Sequence, residues 1–501
     1  MLHNIALGFV SVFTIKNFVA IFVGTGLGLF VGAMPGLSAT MAIAILLPIT
    51  FVFTASTGIS MLAAIYLGAM YGGSIAAILL RTPGTPSAAA TVMDGYPMAQ
   101  KGQAGKALGI SLISSFFGGL ISSIVLLTIA PLLGNIALQF GPVELFSIAV
   151  LGITIIGSLS RGSTVKGLLS GLAGLLLAMI GMDPITGTPR FTFGSIYLFS
   201  GVPFTIALIG LFSIPQVFRL LEKNESHMGK VSSIKDRMFP SFRDIKSLST
   251  TIIRSSFIGI FTGLIPGTGG DTACWFAYNE AKRFSKEPET FGHGNMYGVS
   301  SAESANNAVV GGALIPTITL GIPGSSATAV LLGGLMIHGI LPGPTLMTEY
   351  ADVTYTLICA IFVANFFMLA EGLIFTKACV FVTKVSNWVL APVITILCVI
   401  GSFAINNSVF DVFLMFGFGV LGYFMEKVEI PVAPMVIGLI LGHMLDVSFH
   451  QALLISHGSW LIFVQSPISA VILLLALLSI LQSTPFFHYI KYLFRKVAIR
   501  S

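Results

Sequence analysis

Four short runs in this chain set a proline–glycine pair ahead of small hydroxyl residues. They are Pro35-Gly36 before Ser38 and Thr40, Thr82-Pro83-Gly84 before Thr85 and Ser87, Pro266-Gly267 before Thr268, and Pro323-Gly324 before Ser325, Ser326 and Thr328. Proline removes a backbone donor and glycine readily adopts positive φ, so the pair stops a helix. A helix that restarts beyond it presents free N–H groups at a positive dipole end, which suits an anion. Hydroxyls beside several such ends would cradle a substrate carrying several carboxylates. At one site the alternative, a kink or small-residue face for close helix packing, is the stronger reading. At four sites in matching positions a binding site is.

The charged and amide residues near these breaks are few. Asp271 stands one turn past Pro266-Gly267 in apolar surroundings. An acid at membrane depth is functional by default, so cation coordination or proton carriage is assigned to it, with helix capping as the alternative. Asn306 and Asn307 offer amides to a substrate or carbonyl oxygens to Na⁺, or else hydrogen bonds between helices. Arg81 beside the first Thr-Pro-Gly is placed either to clamp a carboxylate with two bonds or to snorkel to an interface. Glu303 is expected to pair locally and Asp94 to cap or close a loop. The eight histidines show no metal-ligand spacing, and no metal beyond Na⁺ and no other cofactor is expected.

The elements that hold these residues must lie in lipid. Of 501 residues 55% are hydrophobic and 9% charged, against about 25% charged in a soluble domain. Asp, Glu, Lys and Arg are all absent from 17 to 80, from 304 to 348 and from 447 to 490. Since a spanning helix needs about 20 apolar residues, the chain is read as an all-α multi-pass membrane protein with about 12 to 14 segments, some of them broken or re-entrant. A β-barrel would show alternating strands of ~10 residues instead. Eight of the 25 basic residues fall between Arg219 and Arg254, and four more are Lys491, Arg495, Lys496 and Arg500. They form no stripe for nucleic acid, and the positive-inside rule puts both regions in the cytoplasm. Cys274, Cys359, Cys379 and Cys398 read as buried thiols. The N-terminus lacks the marks of a cleaved signal peptide and reads as a retained segment.

The two halves echo each other. Gly32-Ala33-Met34-Pro35-Gly36 corresponds to Gly263-Leu264-Ile265-Pro266-Gly267. Gly72-Gly73-Ser74 with Leu80 through Ala88 corresponds to Gly312-Ala313-Leu314 with Leu320 through Thr328, and Met93 through Pro97 to Met336 through Pro342. Three landmarks in one order predict a duplication: a first membrane repeat over 1–218, a basic cytoplasmic linker over 219–254, and a second repeat over 255–501. The linker and the C-terminus fall on one side, so the inverted arrangement takes an extra C-terminal helix in the second half. Paired breaks in two repeats are the best sequence pointer to a transporter's midplane site.

At these residues the chain resembles the large membrane subunit of tripartite tricarboxylate transporters. The resemblance is carried by Pro266-Gly267-Thr268-Gly269-Gly270-Asp271-Thr272, Ala305-Asn306-Asn307-Ala308, Thr319 through Ser325, Tyr71-Gly72-Gly73-Ser74, Asp94 through Ala99, and Asp183-Pro184-Ile185-Thr186-Gly187 with Arg190-Phe191. It runs from about residue 20 to about 475. Ser38-Ala39, Arg81, Tyr297, Ser459 and Ser466 depart from the usual pattern. The resemblance implies a multi-pass protein of the bacterial inner membrane that imports tri- and dicarboxylates by Na⁺ or H⁺ symport. Its implied partners are a small membrane subunit and a periplasmic solute-binding protein. No P-loop is present, in keeping with transport that hydrolyses no nucleotide. An intramembrane enzyme would need a nucleophile and base or paired acids, and Asp94 and Asp271 sit in non-equivalent motifs. A channel would want a continuous polar lining.

Overall fold

The structure is a computed structural model that describes residues 2–34, 37–159, 164–183, 186–222, 236–382 and 387–482. Gly36, linker residues 223–235 and the basic residues Lys491, Arg495, Lys496 and Arg500 lie outside them, as does the side chain of Cys379. The helices of the first half are α1 (Leu2–Val12), α2 (Ile15–Gly32), α3 (Ala39–Leu46), α4 (Ala55–Leu80), α5 (Ala89–Gln100), α6 (Ala104–Ala137), α7 (Pro142–Leu159), α8 (Thr164–Ala178) and α9 (Phe204–Glu222). Between α8 and α9 lies an antiparallel hairpin of β1 (Gly181–Met182) and β2 (Pro189–Arg190). The second half holds α10 (Phe242–Leu264), α11 (Gly269–Arg283), α12 (Met296–Leu320), α13 (Ser326–Ile337), α14 (Ala351–Val382), α15 (Asn387–Asn406), α16 (Val409–Lys427), α17 (Val432–Ile455), α18 (Ile462–Gln465) and α19 (Pro467–Gln482).

Among the described residues eight helices are long and apolar enough to cross a membrane, and six shorter apolar helices accompany them. The expectation of an all-α membrane protein is met. Of the candidate spans, Ala55–Leu80 is buried throughout its most apolar stretch, whereas only 28% of that of Trp388–Asn406 is buried. A helix sheathed by other helices can carry polar side chains that lipid would not tolerate. Among the described residues α12 is such a helix, with Ser300, Ser301, Ser304, Asn306, Asn307, Thr317 and Thr319 all buried.

The chain divides into two compact units, one of residues 1–135 and 208–423, the other of 136–207 and 424–501. In the first unit α2 lies against α4 and α10 against α12. Glycines bring these backbones together: a Cβ on Gly28 would sit 2.3 Å from the Ile65 carbonyl oxygen, and one on Gly259 2.4 Å from that of Ala305. Only a missing side chain permits such closeness, the device by which membrane helices associate without a hydrophobic driving force. In the second unit Phe146, Phe449 and Phe463 pack together around Val143 and Ala452. There Arg190 of the hairpin makes two bonds to Asp446 of α17, at 3.2 and 2.5 Å, with its Nε 3.6 Å from Asp183. These carboxylates, Asp446 foremost, hold the guanidinium above its already high ordinary pKa. Ser466, at a position where the resembled pattern has arginine, donates to Glu144 at 2.5 Å.

Candidate functional site

Each Pro-Gly run for which residues are described marks an end of a helix. α4 stops at Arg81, which takes a left-handed conformation at φ 60°, and α12 stops at Gly321 with φ 72°. Past Arg81 a short bent segment leads to an extended Thr85 and into α5; past Gly321 another leads to an extended Ser325 and into α13. α2 ends at Gly32 and helix resumes at Ala39, and α10 ends at Leu264 and helix resumes at Gly269. These short segments pass close to the ends of α2 and α10 in the same way in both halves. A Cβ on Gly84 would lie 2.0 Å from the Gly32 carbonyl oxygen, and one on Gly324 2.4 Å from that of Gly263. Backbone bonds join the pieces, from Gly84 N–H to Gly73 O at 3.0 Å and from Gly267 N–H to Gly324 O at 3.1 Å.

The side chains that these ends bring together sit around Gly270, in the first turn of α11. A Cβ there would meet the Met70 methyl at 2.7 Å, the Ser87 Cβ at 2.9 Å and the Asn306 Oδ1 at 3.0 Å. Ser87 Oγ is 3.0 Å from Thr85 Oγ1 and donates to the Met70 sulfur at 3.6 Å. Ser325 Oγ is 3.1 Å from the Tyr66 hydroxyl, and its Cβ would be 3.5 Å from a Cβ on Gly269. Breaks distant in sequence thus meet on the inner faces of α4 and α12. Asn306 and Asn307 are fully buried. Asn306 donates to the Met70 carbonyl at 3.1 Å, while its Oδ1 and both polar atoms of the Asn307 amide have no hydrogen-bond partner among the described residues. An unsatisfied buried polar atom costs about 1–3 kcal/mol, which makes these two amides candidate ligand groups.

The remaining expected site residues divide into two sets. Asp271 is partly buried in the first turn of α11, beside Gly270. Ser325 caps α13 in a capping box with Thr328, accepting from the Thr328 N–H at 3.2 Å and returning its own N–H to Thr328 Oγ1 at 3.0 Å; Ser326 begins that helix. Ser38 likewise caps α3, accepting the Met41 N–H at 3.2 Å, and Thr40 is buried two residues on. Neither hydroxyl bonds to Thr85, Ser87 or Ser325. Thr268 donates back to the Thr262 and Ile265 carbonyls at the end of α10, so its hydroxyl is engaged locally. Arg81 and Thr82 are exposed. The Arg81 guanidinium lies 5.7 Å over the Tyr96 ring, on an open cavity of about 580 Å³ that also has Lys101 and His293 in its wall.

Two acids repay a closer look than their sequence setting invites. Asp94 on α5 is fully buried and accepts the N–H groups of Gly292, Gly294 and Asn295 at 2.9, 2.8 and 2.7 Å, with the Tyr278 hydroxyl at 2.8 Å. It is therefore a closing residue for the loop that leads into α12. Among the described residues Glu303 pairs with no cation. It is fully buried and takes hydroxyls from three helices: Ser74 of α4 at 2.6 Å, Thr91 of α5, and Ser115 of α6 at 3.0 Å. Glu303 stands three and four residues before Asn306 and Asn307, hence on one helix face with them. That spacing was the available signal for it.

A model of the tripartite tricarboxylate transporter TctA family matches residues 18–437 of the chain. The chain is 37% identical over 477 residues to an uncharacterized 52.8 kDa protein in the TAR-I ttuC' 3' region of Agrobacterium vitis, covering 95% of each chain. It is 34% identical over 223 residues to an uncharacterized protein in the TAR-II ttuC' 3' region of the same organism, covering 44% of this chain and 92% of that one. No solved structure matches it.

Proposed function

The chain belongs to the tripartite tricarboxylate transporter TctA family, the family of the large membrane subunit, and on that footing we propose how it works. It is the path-forming subunit of a secondary transporter in the bacterial inner membrane. A periplasmic solute-binding protein delivers a di- or tricarboxylate to it and a small membrane subunit completes the complex. The import is driven by symport of Na⁺ or H⁺.

The observation that carries the reading is the meeting of Thr85, Ser87, the first turn of α11 and Ser325 beside the Asn306 amide oxygen, which has no partner among the described residues. Helix N-termini and hydroxyls suit carboxylate oxygens. Amide oxygens and the Asp271 carboxylate suit a small cation, whose charge lowers the cost of moving an anion through lipid. The like crossings of Gly84 over Gly32 and Gly324 over Gly263 support two duplicated repeats, 1–218 and 255–501, with the basic linker 219–254 between them. Alternating access follows if the broken helices move against a fixed scaffold.

The test is uptake into proteoliposomes holding this chain with its small subunit and binding protein, with Na⁺ and pH gradients imposed separately. Accumulation of a labelled carboxylate above equilibrium under one gradient is the expected result. Flux that only equilibrates would point to a channel and sink the symport reading.

A further inference from the structure

Glu303 carries an obligation that the substrate site does not discharge. Its carboxyl is wholly buried, and among the described residues no Lys, Arg or His pairs with it. The helices around it bring hydroxyls and no counter-charge. α4 meets it with Ser74, α5 with Thr91 and α6 with Ser115. Three charged groups on surrounding helices have partners of their own. Asp94 of α5 is held by three amides and the Tyr278 phenol of α11, Arg254 of α10 stacks on Phe284, and Lys106 of α6 lies 3.5 Å from Asp244. Tyr71 lies one turn before Ser74 on α4. A bare carboxylate in such a place is expensive, because the desolvated charge has no partner of opposite sign.

Two species would relieve it, a proton or a monovalent metal cation. The geometry favours the proton. The hydroxyls close directly on the carboxylate oxygens, at 2.6 Å for Ser74 and 3.0 Å for Ser115, and leave no gap between donor and acceptor for an ion. A serine or threonine hydroxyl also turns freely, donating to the carboxylate or accepting from the protonated acid. The same cage therefore serves both states without moving a heavy atom. Glu303 lies on the face of α12 that carries Asn306 and Asn307, so a change in its charge reaches the substrate site through one rigid helix.

We propose that Glu303, caged by Ser74, Thr91 and Ser115, is a reversible proton-binding site that couples proton movement to carboxylate transport. The proposal rests on the transport reading for its purpose, but its chemistry can be tested on the chain alone.

The experiment is infrared difference spectroscopy on the purified full-length chain in lipid nanodiscs, stepped from about pH 5 to about pH 9, the range in which a buried carboxyl titrates. It is run with and without Na⁺, on the native chain, Glu303→Gln and Ser115→Ala. The native chain is expected to lose a protonated-carboxyl band as the pH rises, and Glu303→Gln to lack that band. In Ser115→Ala the midpoint should move to higher pH by about one unit, tenfold in proton affinity, because one donor that favours the carboxylate has gone. Ser115→Ala keeps the test decisive if Glu303→Gln does not fold. A band unaffected by either substitution would overturn the proposal. So would a band abolished by Na⁺ at constant pH, which would make the site a metal-cation site. Neither result depends on uptake, so failure here is distinct from failure of the transport reading.

Discussion

Substitution of Gly84 or Gly324 by alanine should unfold the crossings on which the site is built. At Gly84 the added methyl would stand 2.0 Å from the Gly32 carbonyl oxygen and 2.8 Å from the Gly73 Cα; at Gly324 it would stand 2.4 Å from the Gly263 oxygen and 2.6 Å from the Ala313 Cα. Ordinary contact begins at 3.4 Å, so each methyl is about an ångström or more too close. Every obstacle named is backbone, which no rotamer change relieves. Overpacking costs typically 1–3 kcal/mol, and a rigid obstacle puts these two at about 3 kcal/mol or above, Gly84→Ala the worse. The control is Gly417→Ala on α16, where nothing lies within 4 Å of the new methyl. That change should be neutral or stabilise by about 0.5–1 kcal/mol, the helix preference for alanine over glycine. Thermal unfolding of the purified variants in detergent reads the comparison directly. If Gly84→Ala or Gly324→Ala melts alongside Gly417→Ala, the close crossings are not there, and the convergence of breaks falls with them.

Three further outcomes are expected. Asp94→Ala removes four hydrogen bonds to a buried carboxylate, whereas Tyr278→Phe removes one. With each charge-assisted bond worth about 1.5–3 kcal/mol, the first should lower the unfolding midpoint far more than the second, and equal midpoints would refute the loop-closing role. In the other unit Arg190→Lys cannot reproduce the two bonds to Asp446, and should cost about 1–2 kcal/mol although charge is kept; an unchanged midpoint would show that charge alone suffices. Asn307→Leu removes an amide that has no partner among the described residues, so stability should hold or rise while uptake falls by about tenfold or more. A large loss of stability would make Asn307 a structural residue.

The membrane fold was legible because its cause is compositional: long charge-free runs such as 17–80 leave the chain no solvent but lipid. The positions of the breaks were legible too, since Pro-Gly pairs act locally, and helices end at Leu80, Leu264 and Leu320 close to where the pairs predict. What local chemistry does not encode is which breaks touch. Ser38, Thr268 and Ser325 look alike in sequence; the first two engage only their own segments, and Ser325 alone of the three bonds to another helix, through Tyr66. Arg81 sat next to a break and yet turns to the surface over Tyr96, because its left-handed backbone ends α4 there. In sequence Glu303 reads as a local pair, whereas its three hydroxyl partners come from α4, α5 and α6, about 190 to 230 residues distant. Tertiary cages of that kind leave only a faint trace in sequence, here the spacing from Glu303 to the two asparagines.

The most direct measurement is carboxylate protection of a thiol at the break. Ser325→Cys, in a chain whose four native cysteines have been replaced, would be assembled with its partner subunits, checked for residual uptake and labelled with a small negatively charged thiol reagent. A transported carboxylate at about ten times its Kd should slow labelling about tenfold, in proportion to the sites left empty, and a non-transported anion should not. Labelling that proceeds at one rate with and without substrate, in a transporter that still takes it up, would mean that the carboxylate binds elsewhere.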